Sequence, residues 1–428
     1  MALQPLQLRD KSSQSNLPIM RMGVYLLIIF SIGNAIMERL FPLEPDFIVG
    51  ALLLIGFWGR LVLTKRKWRK SILDKPVLII LFAMALSLLN LAFQGSQYFN
   101  ETAIQYVRLI SIMVLSLLVY QITDGQDAIK ILKIFTVTVA FVSLLAIFGF
   151  LTGISFIRIG GLEISIRIKG RLGGIYEQPN TFGAILTLAF PIGIVFTLLN
   201  KSILKKLSWI MILILCLTGL FLSQSRSAIL GALVGIFTMA AILRRLYKGS
   251  HSIVIILLAF AGALAMIMAT GMLEPFLIRL NWDYYISQRI ESAEPSRLEI
   301  WNEAIRLAFN NPFGYGAETK YIVGKGLGAG EKSVHNVFLS FLSGMGVLGF
   351  IGIIILATTP LRKLWKLAFA GLYIELRTLA AGLFAGLVGF WIFNLAHSVI
   401  HWVAVWVYFA CAAAVIRSGD IKGGSLTL

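Results

Sequence analysis

The sequence predicts an all-α, polytopic membrane protein of about twelve transmembrane helices. Both termini are expected in the cytoplasm, with one large helical loop over the bundle on the other side. Three observations carry this expectation. Hydrophobic residues fill 58% of the 428 positions and charged residues only 14%, well below the quarter or so of charge in an ordinary soluble domain. Apolar runs recur at the length of about 20 residues that a helix needs to cross hydrocarbon, where no water is present to satisfy backbone amides. Lysine and arginine cluster on alternate connections between those runs.

Taken in order, the runs give spans near 23–41, 47–63, 76–93, 103–121, 130–152, 181–199, 207–224, 226–243, 252–272, 336–358, 379–396 and 400–416. The first run lacks a small-residue cleavage site and reads as a span, not as a removable signal peptide. Alternate connections hold Arg60, Lys65, Arg66, Lys67, Arg69 and Lys70, then Lys201, Lys205 and Lys206, then Arg244, Arg245 and Lys248, then Arg362, Lys363 and Lys366. The intervening short connections carry mostly acids or neither sign, such as Glu38, Glu44, Asp46 and Glu101. The positive-inside rule therefore puts both termini in the cytoplasm, in keeping with an even number of spans. The organisation expected is an N-terminal arm 1–22, spans one to nine over 23–271 with a basic outer loop 153–180, a large outer loop 272–335, spans ten to twelve over 336–417, and a tail 418–428.

A net charge of +18 could suggest nucleic acid, but the cations are dispersed among apolar runs as membrane orientation requires, and no nucleic-acid partner is expected. Cys216 and Cys411 lie inside apolar runs and read as small hydrophobes. The outer loop 153–180 is short enough to obey the charge rule and breaks it with Arg158, Arg167, Lys169 and Arg171. Binding of anionic lipid headgroups is one reading of those cations.

Intramembrane charge is costly, so its placement is informative. Arg108 enters the membrane near the outer end of span four, Arg226 opens span eight on the outer side, and His335 precedes span ten. His397 and His401 flank the outer junction of the last two spans and read as interface decoration. The middles of the spans hold no evident Asp, Glu or Lys, contrary to the needs of an ion-coupled transporter. Within the outer loop, Ser296 and Glu299 make a capping-box pattern and Asn311-Pro312 a stop, predicting a helix over 297–309. Helical spacing puts Leu298, Trp301, Ile305 and Ala308 on one stripe, with Arg297 beside it and Glu299, Asn302, Glu303 and Arg306 opposite. An inward guanidinium needs a partner, which an anion could supply. Pairing with Glu294 or Glu299 is equally open for Arg297, as is snorkelling to the interface for Arg226.

Four segments together resemble one family. They are Arg171-Leu-Gly-Gly-Ile-Tyr-Glu-Gln-Pro-Asn-Thr-Phe-Gly183, the Ser225-Arg226-Ser227 turn, Ser296-Arg297-Leu298-Glu299-Ile300-Trp301 leading to Asn311-Pro312-Phe313-Gly314-Tyr315-Gly316, and His335-Asn336-Val337-Phe338-Leu339 with Gly344, Gly346 and Gly349. In this order they are similar to the O-antigen ligase and O-antigen polymerase superfamily of GT-C type membrane glycosyltransferases. The resemblance implies a bacterial inner-membrane enzyme whose site faces the periplasm and which takes a glycan from undecaprenyl diphosphate. The acceptor would be lipid A-core or another lipid-linked repeat. It further implies His335 as general base and Arg226 and Arg297, joined by Arg171, as diphosphate-binding residues, with Asn336, Arg108 and Asn180 in support. The outer loop is more compact than in the best-known ligases, which leaves the acceptor open.

The residues suit that chemistry. No Asp-Xaa-Asp triplet occurs, so no metal or other cofactor is expected, and arginine would serve the diphosphate in place of a metal. Nearby guanidinium groups would keep His335 neutral and able to accept a proton. The rival reading is a twelve-span secondary transporter or flippase, which should show repeat symmetry and polar groups at the midplane. A non-catalytic scaffold would not require inward arginines.

Overall fold

The computed structural model describes residues 18–32, 68–154, 156–159, 162–165, 167–168, 171–176, 178–247 and 295–420, with Leu52, Ile55, Ala265 and Met268. The helices are α1 (Pro18–Ile32), α2 (Asp74–Phe93), α3 (Phe99–Ile122), α4 (Gly125–Leu151), α5 (Pro179–Leu199), α6 (Ile203–Leu222), α7 (Arg226–Leu246), α8 (Arg297–Asn310), α9 (Thr319–Gly326), α10 (Val337–Ala370), α11 (Ile374–Asn394) and α12 (Val403–Asp420). Among the described residues nine of these, α2 to α7 and α10 to α12, are long and apolar enough to cross a membrane. Each matches an expected span within a few residues, except that α10 runs on to Ala370, carrying the basic stretch 362–366 on its final turns. The expected spans 47–63 and 252–272, and residues 33–41 of the first, lie outside the described residues apart from the four named above. The helix α1 opens at Pro18, within the stretch assigned to the arm.

Helix α5 is buried along almost its whole length and forms the centre of the bundle, with α11 and α12 buried nearly as fully. Small residues permit this. A β-carbon on Gly231 of α7 would meet the Gly389 carbonyl of α11, and one on Gly382 of α11 would meet Val195 of α5. Small residues facing one another let membrane helices approach closely without a hydrophobic drive between them. The outward faces of the peripheral helices carry the exposed apolar side chains, such as Leu78 and Phe82 on α2, Phe141 and Phe148 on α4, and Phe237 on α7.

Polar ties fix which helix ends share a face. On the lower face Arg21 of α1 pairs with Asp127 of α4 at 3.0 Å. The Arg417 guanidinium of α12 donates to the Thr123 carbonyl at 2.6 Å, and Gln121 at the end of α3 exchanges two hydrogen bonds with the Arg69 backbone. The described chain therefore starts, at Pro18, and ends, at Asp420, on one face. It leaves α7 at Tyr247 on that lower face and resumes at Pro295 on the upper face.

The connection expected as a basic loop over 153–180 contains two antiparallel ladders. Strand β1 (Phe156–Ile159) pairs with β2 (Leu162–Ser165), and β3 (Arg167–Ile168) pairs with β4 (Arg171–Leu172). Alternation of β-branched and polar residues, with Gly160-Gly161 between the first two strands, is the pattern of a hairpin.

Helix α8 starts with the expected capping box. The Glu299 amide donates to the Ser296 hydroxyl at 3.2 Å, and the Ser296 amide donates to the Glu299 carboxylate at 2.5 Å. Its buried stripe differs from the expected one. Ile300, Ala304 and Leu307 pack with Val323 and Val334, whereas Leu298 and Ile305 face out. The helix has apolar residues on two sides, and the side bearing the small Ala304 and Ala308 allows the closer approach to protein. Arg297 sits at the edge of that inner side and is half-buried.

Candidate functional site at the upper face

The site begins with a broken helix. Helix α10 is interrupted at Gly346 (φ 69°, ψ −168°), a left-handed conformation that glycine adopts without strain. The segment Pro312–Tyr315 fills the break. The Val347 amide donates to the Pro312 carbonyl at 3.0 Å, and the Tyr315 amide donates to the Ser343 carbonyl at 2.9 Å. The Gly344 carbonyl accepts from Ser87 and Tyr106 hydroxyls, each at 3.0 Å, while Gly314 gives its carbonyl to Asn90 of α2 at 3.3 Å. Backbone groups freed by a break inside a membrane need such substitutes. The Asn-Pro-Phe-Gly-Tyr-Gly motif is thus a wedge that holds the first turns of α10 at a fixed angle.

Those first turns carry His335. Asn336 caps α10, its side chain accepting from the amides of Phe338 and Leu339 at 3.0 and 3.2 Å. On the other side the Trp301 indole of α8 donates to the Val334 carbonyl at 3.0 Å. His335 itself adopts φ 47°. Among the described residues the only other non-glycine residue with positive φ is Gln224 (φ 50°), in the turn that presents Arg226. Strained backbone held by its surroundings is characteristic of functional turns.

Arg171, at the start of β4, reaches the same turn. Its Nε donates to the Ser223 carbonyl at 3.0 Å and its Nη2 to Asn180 Oδ1 at 2.8 Å. One guanidinium thus joins the hairpin, the start of α5 and the α6–α7 turn. Arg226 lies at the first position of α7 and is exposed.

Burial first, and then the charge of Arg297, lower the pKa of His335. The ring is nonetheless reached by solvent. The structure adds a residue that the sequence reading set aside. His397, in the connection between α11 and α12, is buried and stacks on Phe393 (4.8 Å between centroids, 13°). It meets His335 edge to face at 5.9 Å. Burial, then Arg297, His335 and Arg171, push its pKa down to about 3. Arg171, Arg297, His335 and His397 are therefore one electrostatic cluster, with Arg226 adjoining through the Ser223 turn. His401 lies farther along the same connection, beside Trp402.

Arg108 is different. It projects from an exposed face of α3, and no hydrogen bond or ion pair among the described residues joins it to the cluster. Among the described residues, four carboxylates of the upper face have partners outside the cluster. Glu101 and Glu331 flank Lys320 at 3.0 and 3.2 Å, Glu303 pairs with Arg306, and Glu318 accepts from Ser96. Among the described residues no three His, Cys, Asp or Glu side chains come together as a metal would require.

Fold and site together define a multi-pass membrane protein with a cluster of arginines and histidines at one face of its helix bundle. Residues 211–354, about a third of the chain, match the family model described as O-antigen ligase. The match covers Arg226, the Arg297 helix, the wedge, His335 and the glycines of α10, and it bears out over that stretch the resemblance read from the motifs. The Arg171–Gly183 motif lies before it. The match supports an O-antigen ligase- or polymerase-like function at the level of the family. No curated protein matches the chain.

Proposed function

We propose that the protein is a glycosyltransferase that moves a glycan from undecaprenyl diphosphate to a hydroxyl acceptor at the periplasmic face of a bacterial inner membrane. The acceptor is lipid A-core or the sugar end of another lipid-linked repeat. The observation that supports the reading is that Arg171, Arg297 and His335, from three separate segments, all act on the ring of His397. The lower face carries Lys201, Lys205, Lys206, Arg244, Arg245, Arg362, Lys363 and Lys366, and the positive-inside rule makes that face cytoplasmic.

In the reaction the acceptor oxygen attacks the anomeric carbon of the donor glycan while the bond from that carbon to the diphosphate oxygen breaks. Undecaprenyl diphosphate leaves with the bonding electron pair. His335 takes the acceptor proton, and neutrality at pH 7 is what a base requires. Arg226 and Arg297, with Arg171, hold the departing diphosphate, whose charge grows as the bond breaks. The transporter reading gains nothing from the broken helix α10, because the gap is filled by the backbone of 312–315 and the histidine–arginine cluster lies at one face.

The test is transfer by purified protein in proteoliposomes supplied with undecaprenyl-diphosphate-linked glycan. Release of undecaprenyl diphosphate together with glycosylated acceptor supports the proposal, and movement of intact donor across the bilayer without transfer refutes it. The surface glycan of a deletion strain separates the two branches. Free lipid-linked polymer indicates a ligase, and a single-repeat glycan indicates a polymerase.

A further inference from the structure

His397 belongs to none of the motifs that carry the family resemblance. Its placement is nonetheless specific. The connection that bears it is pinned at both ends, by the Val399 amide on Asn394 Oδ1 at 2.9 Å and by the Trp406 indole on the Ile400 carbonyl. Phe393 fixes the plane of the ring. At 7% exposure the side chain is more than nine-tenths buried, yet among the described residues neither ring nitrogen has a hydrogen-bond partner. The ring nitrogens are not sealed from solvent, so they can bond a molecule that enters from outside.

The groups that act on the ring point to its chemistry. They are Arg297 from α8, His335 from the turn before α10 and Arg171 from β4. His401 is the other titratable group on its own connection. None of these is an acid. A group that satisfies the imidazole N–H and is also attracted by two guanidiniums must be an anion with acceptor oxygens. Neutral before binding, the ring adds a directional donor without adding repulsion among the cations that the anion has to reach.

We propose that His397 is a further binding residue of this cluster and donates a hydrogen bond to a phosphate oxygen of the anion held by Arg171 and Arg297. The inference rests on the proposed function, in which that anion is the donor's diphosphate. It gives the two histidines different work. His335 acts on the acceptor hydroxyl, and His397 retains the donor.

The experiment measures binding of undecaprenyl diphosphate to the full-length protein in nanodiscs, with initial transfer rates over a range of donor concentration. His397→Phe keeps the stack on Phe393 and lacks the donor, and His397→Gln keeps an N–H. Loss of one hydrogen bond to a charged group corresponds to about tenfold or more in affinity. His397→Phe should therefore raise Kd and the donor KM about tenfold with kcat nearly kept, while His397→Gln stays within about threefold of the parent. In the unaltered protein, ¹⁵N-labelled histidine should show the His397 ring nitrogens shifting when undecaprenyl diphosphate is added. This readout stands even if a variant fails to insert. Parent-like binding by His397→Phe, or an unmoved His397 signal, refutes the inference. If Arg297→Lys weakens binding and His397→Phe does not, only His397 is misassigned. If the parent does not bind undecaprenyl diphosphate, the proposed function fails and this inference fails with it.

Discussion

A mild fall in pH should destabilise this protein, and His397 carries a share of the loss that can be worked out. His397 is held neutral in the folded state, with a pKa of about 3, and returns on unfolding to the ordinary value near 6.5. Above pH 6.5 the ring is neutral in both states and contributes nothing. Below that value the unfolded chain binds a proton that the folded chain refuses, so stability is lost as pH falls from 6.5 toward 3. Between pH 7 and pH 5 the loss amounts to about 2 kcal/mol. The assay is thermal or denaturant unfolding in detergent at the two pH values for the parent and for His397→Gln. The variant should lose less stability on acidification, by about that amount. Saturating undecaprenyl diphosphate should blunt the parent's loss, because a bound anion favours the imidazolium. Equal acid sensitivity in parent and variant would show that His397 is hydrated and that the cluster is more open than its geometry indicates.

Other predictions follow from the wedge and the cations. Gly346→Ala places a β-carbon against the Pro312 carbonyl at a positive φ. It should cost on the order of 2–3 kcal/mol in thermal unfolding and lower transfer by displacing the turn that bears His335. Parent-like unfolding would mean that the wedge can yield. Arg226→Lys and Arg297→Lys should each slow transfer on the order of a hundredfold, since an ammonium cannot make the two-pronged contact of guanidinium with phosphate oxygens. Rates like the parent's in both would leave the two arginines as interface anchors. Transfer should persist in excess EDTA. Loss restored by Mg²⁺ or Mn²⁺ would instead show carboxylates holding the diphosphate through a metal.

The transmembrane layout was legible in the sequence because membrane burial writes itself as uninterrupted apolar length, and all nine described spanning helices lie where such runs do. The capping box of α8 was legible because it is local. The hairpins within 156–172 were not expected although their alternation is visible, because the cations of that stretch read only as a basic loop over 153–180. The inner face of α8 was misjudged because hydrophobicity alone does not say which of two apolar sides meets protein and which faces out. The break in α10 could not be read from its glycines, since the element that fills it, Pro312–Tyr315, lies outside the helix. His397 was set aside because a lone histidine beside a span carries no signal of its own. Its meaning comes from Arg171, Arg297 and His335, which only the fold brings near it.

The central claim is that His335 takes the acceptor proton while the cations of the cluster hold the donor, and single-turnover transfer by His335→Ala tests it most directly. Reconstituted enzyme is loaded with undecaprenyl-diphosphate-linked glycan and mixed with acceptor, and donor binding is measured on the same preparation after checking that it folds and inserts like the parent. A base acts mainly in the transition state. The variant should therefore bind donor with the parent's affinity and transfer glycan at least a hundredfold more slowly, in the lower range expected of a lost general base. Near-parent transfer by His335→Ala, or loss of donor binding in place of turnover, would contradict the account.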